Sequence, residues 1–303
     1  MKNTYYSNGK LLITGEYLVL DGAKAFALPT KFGQSLTIEQ GDNQVIHWKS
    51  YDNDKSVWFE DCILFNEIIA PKNSYSSVKD TLITILHQAY LVNPNFINNK
   101  KGYRITTELT FPRKWGLGTS STLINNIAQW LEIDAFELLN TSFGGSGYDI
   151  ACAQNNNPII YQLDKGKPVV KKVNFDPEFT KNIYFVYLNK KQSSKNAIAN
   201  YQKNKSHHLD KDIATINAIT IDLLNATNIE QLNQGIVKHE AKMSHILETT
   251  TIKESIFPDF HGEIKSLGAW GGDFVMVISQ LDPIDYFKEK GYETLLTYAE
   301  MIL

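Results

Sequence analysis

Apolar residues change their spacing several times along the chain, and each change predicts an element. Leu11 to Thr14 and Tyr17 to Leu20 are short apolar runs on either side of Gly15, and Asp21-Gly22 follows as a turn pair, so this stretch predicts a hairpin. Gln34 to Gln40 and Gln44 to Trp48 read as further strands separated by Gly41-Asp42-Asn43, with the polar stretch Lys49 to Lys55 as a loop. From Thr81 to Val92 the pattern is helical, with Leu82, Ile85, Leu86, Ala89 and Tyr90 on one face. Tyr103 to Thr110 then alternates as a strand does.

Helical spacing returns at Leu123, Ile124, Ile127 and Leu131, directly after the glycine-rich segment Gly116-Leu117-Gly118-Thr119-Ser120-Ser121. Thr141 to Asp149 predicts a loop, and strands follow at Pro158 to Leu163, Val169 to Val173 and Ile183 to Leu188. Ile213, Ile216, Ile219 and Leu223, then Ile229, Leu232, Ile236, Val237 and Met243, predict two amphipathic helices. A third glycine-rich segment, Gly268 to Gly272, precedes a strand over Phe274 to Ile278 and a charged C-terminal helix with Leu295 and Leu296 on its apolar side. The pattern predicts an α+β chain in two parts, 1–175 and 176–303, each with its own core.

Composition narrows this picture. A length of 303 residues suits about two domains. Hydrophobic residues make up 43% and charged residues 21%, and 30 Lys plus Arg against 33 Asp plus Glu leave a formal charge of -3. That balance excludes a highly charged disordered chain and a generally basic nucleic-acid surface, so any anionic ligand must be met by local positive groups. Cys62 and Cys152 cannot supply a disulfide framework or four zinc thiolates, which favours a reducing compartment. Met1 to Lys10 lacks the pattern of a secretory signal, and no run approaches the ~20 apolar residues of a membrane span. A soluble cytoplasmic protein without nucleic-acid or membrane partners is expected.

The glycine-rich segments carry the candidate chemistry. Glycine permits close backbone approach and positive φ, and the unpaired amides of a helix start suit phosphate oxygens. Gly116 to Ser121 has this form, although an ordinary turn and helix cap has it too, and neither the Walker spacing nor the dinucleotide fingerprint is present. Gly9-Lys10, Gly144-Gly145-Ser146-Gly147 with Asp149, and Gly268 to Gly272 add backbone donors, a cation and a carboxylate. Asp149 can guide an acceptor proton or cap its turn, and Lys10 can screen phosphoryl charge or sit solvated on a strand. Ser120, Ser121 and Glu137 offer hard oxygens to Mg²⁺ or cap and solvate helices, and Glu16 can orient Lys10 or form a surface pair.

Taken in order, these motifs resemble the GHMP small-molecule kinase family, in particular its mevalonate kinase and phosphomevalonate kinase branches. Gly9-Lys10-Leu11-Leu12-Ile13-Thr14-Gly15-Glu16-Tyr17 is similar to the family's first motif, Gly116 to Ser121 to its phosphate loop, and Lys265-Ser266-Leu267-Gly268-Ala269-Trp270-Gly271-Gly272-Asp273 to its third. The resemblance implies an N-terminal ribosomal protein S5-like part and a C-terminal ferredoxin-like part. It implies ATP with Mg²⁺, a small acidic metabolite as substrate, and allows a homodimer. Lys10 and Asp149 match the catalytic lysine and aspartate, and Gly116, Leu117, Gly118, Thr119, Ser120 and Ser121 match the nucleotide loop. Ser120, Ser121 and Glu137 match metal-binding positions. Lys10, Glu16, Ser146, Ser193, Ser194, Lys195, Gly268 and Ala269 match the substrate side. The short motifs around Glu16-Tyr17 and Gly272-Asp273 look closer to phosphomevalonate kinase, with mevalonate, another acceptor, or a non-catalytic binding role as alternatives. Leu267 and Trp270 depart from the usual Thr and Gly of the third motif.

Overall fold

The computed structural model describes residues 2–72, 77–98, 101–192, 194–205 and 208–303, with only the backbone of 194 and 195. The chain divides into two compact units interleaved in sequence. Met1–Gly9, Phe32–Arg113 and Leu117–Gln154 form the first, and Lys10–Lys31, Lys114–Gly116 and Asn155–Leu303 the second. This interleaving is a different division from one cut at 175. Both of the long opening strands, β1 (Lys2–Thr14) and β2 (Ala25–Gly41), contribute to both units.

In the first unit β2 pairs antiparallel with β5 (Gly102–Leu109), placing Ile38 opposite Ile105. β3 (Val45–Tyr51) runs parallel to β5 and antiparallel to β4 (Val57–Leu64), with Ile46 opposite Ile63. Alternation along β3 buries Ile46, Trp48 and Ser50 and exposes His47, as a strand with one covered face requires. Over that face lie α1 (Val78–Val92) and α2 (Thr119–Leu131), whose Leu82, Ile85, Leu86, Ile124, Ile127 and Leu131 join one core with Ile38, Trp48 and Ile105. α3 (Ala135–Ser142) and α4 (Tyr148–Ala153) pack on α2.

In the second unit the start of β2 pairs with β6 (Ile159–Asp164), and β6 with β7 (Lys167–Lys172). A further sheet has the order β11-β8-β10-β9, formed by β8 (Ile183–Tyr187), β9 (Glu263–Ser266), β10 (Phe274–Ile278) and β11 (Leu295–Thr297). All five residues of β10 are buried, in keeping with an uninterrupted apolar run flanked by strands on both edges. Helices of this unit include α5 (Ser194–Lys203), α6 (Leu209–Leu224) and α7 (Ile229–Leu247), and α6 packs on α7.

Two expected elements differ. Leu18–Asp21 is a 3-10 turn instead of the second strand of a hairpin. Tyr17 enters it at φ 59°, and Leu18 and Val19 are buried, so the apolar run records burial of a turn, which a short window cannot distinguish from a strand. Leu295 and Leu296 lie on β11 opposite Val186 and Phe185, and the helices on either side of that strand are Ile284–Glu289 and Tyr298–Met301. Tertiary pairing has overridden a weak local pattern there. Among the described residues no helix is long and apolar enough to cross a membrane, and both cysteines are free.

Candidate active site

From Lys10 on, the first motif runs in the second unit along the last residues of β1 and into the turn that follows it. Leu11, Leu12 and Ile13 are buried, and the chain turns at Gly15 with φ +89°, where a Cβ would lie 2.6 Å from the Lys24 carbonyl oxygen. Only glycine fits that turn. Lys10 extends its ammonium to the Gly116 carbonyl at 3.1 Å, so residues 106 apart in sequence meet at the first position of the glycine-rich loop. Trp115, beside that loop, packs edge-on against Phe274 at 5.3 Å.

Glu16 does not pair with Lys10 as expected. Its Oε1 accepts from Lys265 Nζ at 2.5 Å and its Oε2 lies 3.2 Å from His239 Nε2, an approach off-line for hydrogen bonding. Glu16 is 1% exposed, Lys265 and His239 0%. Lys265 also donates to the Ser266 carbonyl at 2.7 Å and to Glu240 Oε1 at 3.4 Å, while the Ser266 amide donates to Glu240 Oε2 at 3.1 Å. Burial pushes the Glu16 carboxyl up, but the Lys265 and His239 charges outweigh it and hold the group below its ordinary range. An enclosed carboxylate committed to a buried lysine is held as part of the framework beneath the first motif.

The third motif leaves this network at once. Gly268 has φ +65° with open space around it, and Ala269 is buried. Trp270 donates its amide to the Tyr17 hydroxyl at 3.1 Å, tying the loop to the first motif. Burial pushes that hydroxyl up to about 12. The Gln192 side chain rests where a Gly272 Cβ would project, 2.3 Å from its Cγ. Ser193 lies outside the described residues, as do the side chains of Ser194 and Lys195.

Within the first unit, Leu117 is buried and Gly118, at φ 97°, caps α2 without a side-chain acceptor. The Ser121 hydroxyl donates to the Gly118 carbonyl at 2.9 Å, Ser120 is exposed, and the Thr119 hydroxyl is buried without a partner among the described residues. A helix start with uncapped amides and an orphaned hydroxyl suits an anion. Beneath it, Thr122 donates to Gln34 Oε1 at 2.9 Å, Asn126 to the Gln34 carbonyl at 2.9 Å, Ser7 to Asn126 Oδ1 at 2.7 Å and Asn125 to Ser7 at 2.8 Å. Gln154, which ends α4, donates to Asn125 Oδ1 at 3.0 Å. The helix carrying Asp149 is therefore held on the helix that follows the loop. Asp149 and Ser146 are half-buried, beside Gly144, Gly145 and Gly147 at positive φ.

Glu137 is exposed in the first turn of α3, just after the C-terminal end of α2, whereas Ser120 and Ser121 open α2, about 16 Å away along its axis. The two serines can offer hydroxyl oxygens to a phosphate-bound cation. Among the described residues no three His, Cys, Asp or Glu side chains cluster as metal ligands. Lys265 and Asp273 were legible only as the ends of the third motif, and the roles of their charges were not, because their partners are distant in the chain.

No family model and no curated protein matches the chain in sequence. Solved structures do match in fold. The mevalonate kinase of Methanococcus jannaschii superposes with a TM-score of 0.71 at 16% identity, covering 97% of this chain and 96% of its own. Streptococcus pneumoniae phosphomevalonate kinase, solved with phosphomevalonate and AMPPNP, gives 0.68 at 16% identity over 99% and 98%. Lactococcus lactis galactokinase, solved with galactose, gives 0.71 at 14% over 98% and 92%. The chain has the two-domain α+β fold of the GHMP kinases, and that fold is shared by proteins named for different acceptors.

Proposed function

We propose that the protein is an ATP-dependent small-molecule kinase that transfers the γ-phosphoryl group to phosphomevalonate, giving diphosphomevalonate and ADP in isoprenoid precursor synthesis. The observation that carries this reading is the meeting of Lys10 with the Gly116 carbonyl at 3.1 Å, which joins the first motif to the nucleotide loop in a chain of this fold. A neighbour of that fold, named for phosphomevalonate and solved with it and a nucleotide analogue, supports the choice of co-substrates.

In this reading the amides of 118–121 and the Thr119 hydroxyl bind nucleotide phosphates, and Lys10 stabilises charge as the phosphoryl group moves. Asp149 orients the acceptor and takes the proton that a hydroxyl or a singly protonated phosphate acceptor still carries, which needs reach and direction more than an unusual acidity. Mg²⁺, when bound, neutralises phosphate charge. Ser120 and Ser121 are the protein oxygens that would hold it, together with the phosphates themselves. Ser146, Gly268 and Ala269, with Ser193, Ser194 and Lys195, are assigned to the acidic acceptor. The setting proposed is the cytoplasm, with neither nucleic acid nor membrane as partner.

Purified protein supplied with ATP, Mg²⁺ and either phosphomevalonate or mevalonate, with products identified directly, tests the assignment. Diphosphomevalonate and ADP are expected. Phosphorylation of mevalonate alone would move the reaction to the other acceptor, which the mevalonate kinases of the same fold favour. Failure of a folded, ATP-binding protein to turn over either compound sinks both. Asp149→Asn is expected to lower kcat by about 10²- to 10⁴-fold, and near-normal transfer by that variant would remove Asp149 from its role.

A further inference from the structure

Asp273 ends the third glycine-rich segment, and no pattern in the sequence gives its carboxylate a task. Its position is over-determined. The Asp273 amide donates to the Lys190 carbonyl at 2.6 Å, and its own carbonyl accepts from the Leu188 amide at 2.8 Å. The backbone sits at φ 53°, a left-handed conformation that aspartate tolerates better than most residues. Oδ1 accepts the Gln192 amide at 3.3 Å.

These bonds drive the carboxylate against the loop. A Cβ on Gly116, itself at φ +71°, would lie 2.3 Å from Asp273 Oδ2 and 2.5 Å from its Cγ, so the carboxylate fills the space that a glycine leaves open. The carbonyl of the same glycine receives the Lys10 ammonium. Lys10 on β1, Lys191 after β8 and Tyr187 on β8 are the charged and titratable groups facing the carboxylate. Burial pushes the Asp273 carboxyl up, and Lys10, the Gln192 amide and Lys191 pull it part of the way back. A carboxylate held half-buried by strained backbone, beside the carbonyl that receives Lys10, costs folding energy that a surface aspartate would not.

We infer that Asp273 is a positioning residue: its carboxylate braces Gly116 and holds Lys10 on the Gly116 carbonyl, fixing the direction of the ammonium. The inference rests on the phosphoryl-transfer reading for its purpose, though not for its geometry. Asp273 is a counter-charge as well as a brace, so its loss separates binding from turnover. Asp273→Asn keeps the shape and the tolerance for positive φ but removes the charge. A site one unit more positive binds the nucleotide triphosphate as well or up to about tenfold more tightly. An ammonium no longer held in line lowers kcat by about tenfold. A merely structural residue would weaken both together as the fold loosened.

Calorimetric titration of ATP into wild type, Asp273→Asn, Lys10→Met and the double variant reads the coupling. The tightening caused by Asp273→Asn is expected to vanish when Lys10 is already methionine, and equal effects in both backgrounds overturn the inference. Asp273→Gly, which removes the carboxylate and eases the backbone, serves as the second variant if the first does not fold. A readout independent of nucleotide and acceptor is the NMR signal of the Lys10 ammonium in the free protein. It is expected to move as Asp273 titrates and to stop moving in Asp273→Asn, and a Lys10 signal indifferent to that substitution overturns the inference. Absence of turnover on every acceptor overturns the proposed function instead, and leaves this last measurement decisive for Asp273.

Discussion

Each unit buries a polar network beneath a glycine-rich segment, and the two are made of opposite materials. Under the start of α2, Ser7, Gln34, Thr122, Asn125 and Asn126 form a neutral lattice in which each side chain has a partner at 2.7 to 2.9 Å. Under the third motif, Glu16, Lys265, His239 and Glu240 form an ionic one in which Glu16 Oε2, both His239 nitrogens and the Ser266 hydroxyl lack hydrogen-bond partners among the described residues. The neutral lattice sets the direction of a helix start that must offer amides to an anion, and no proton uptake changes it. The ionic network joins a turn, a strand and a helix, and its strength depends on charge states being kept.

Removing one charge should expose this difference most sharply. Lys265→Met leaves two carboxylates enclosed without their cation and should cost about 3–5 kcal/mol in denaturant titration. A loss under 1 kcal/mol would mean that water compensates the cluster and that the contrast is false. Glu16→Gln/Lys265→Met should recover part of the loss, as a broken pair is worse than an absent one.

Acid offers the next test. Glu16 is held below its ordinary value of 4.5, so its contribution is complete above that pH and is lost as pH falls through the lower folded-state value. Melting temperature should therefore fall below pH 4.5 in wild type and fall less in Glu16→Gln, where no such carboxylate remains to be protonated. Parallel profiles would remove Glu16 as the source of acid sensitivity.

Asn126→Ala probes the neutral lattice. It removes the acceptor of the Ser7 hydroxyl and the donor to the Gln34 carbonyl, costing about 1–3 kcal/mol, with the same loss at pH 4 as at pH 7 to within about 0.5 kcal/mol. A pH-dependent loss would erase the distinction between the networks. The smallest effect belongs to Tyr17→Phe at the rim of the ionic network, where the Trp270 amide loses its acceptor for about 1 kcal/mol. Faster hydrogen exchange at that amide, without a change in acid profile, is the expected signature.

Much of the layout was legible beforehand because it rests on local regularities. The helix over 78–92, the helix after the glycine loop, the strand at 274–278 and the long helices between 209 and 247 follow from apolar spacing that neighbouring residues impose on each other. The run 17–20 was misread as a strand because four consecutive apolar residues carry no period, and Leu295-Leu296 as a helix because a sheet edge supplied by β8 is invisible from within the segment. The partner of Glu16 was hidden for a related reason. A glutamate six residues after a lysine suggests a pair, yet the cation that claims it is 249 residues away.

The sequence by itself determined the order of the elements, the places where only glycine can turn the chain, and the three motifs that the resemblance joined. Periodicity and backbone sterics act within a few residues, and so can be read within a few residues. Tertiary structure alone decided which charges meet: Lys10 at Gly116, Glu16 on Lys265, and Asp273 in the space beside a glycine that has no side chain to exclude it. Such partners are chosen by burial and distance in three dimensions, which make an ion pair strong or costly whatever its separation along the chain.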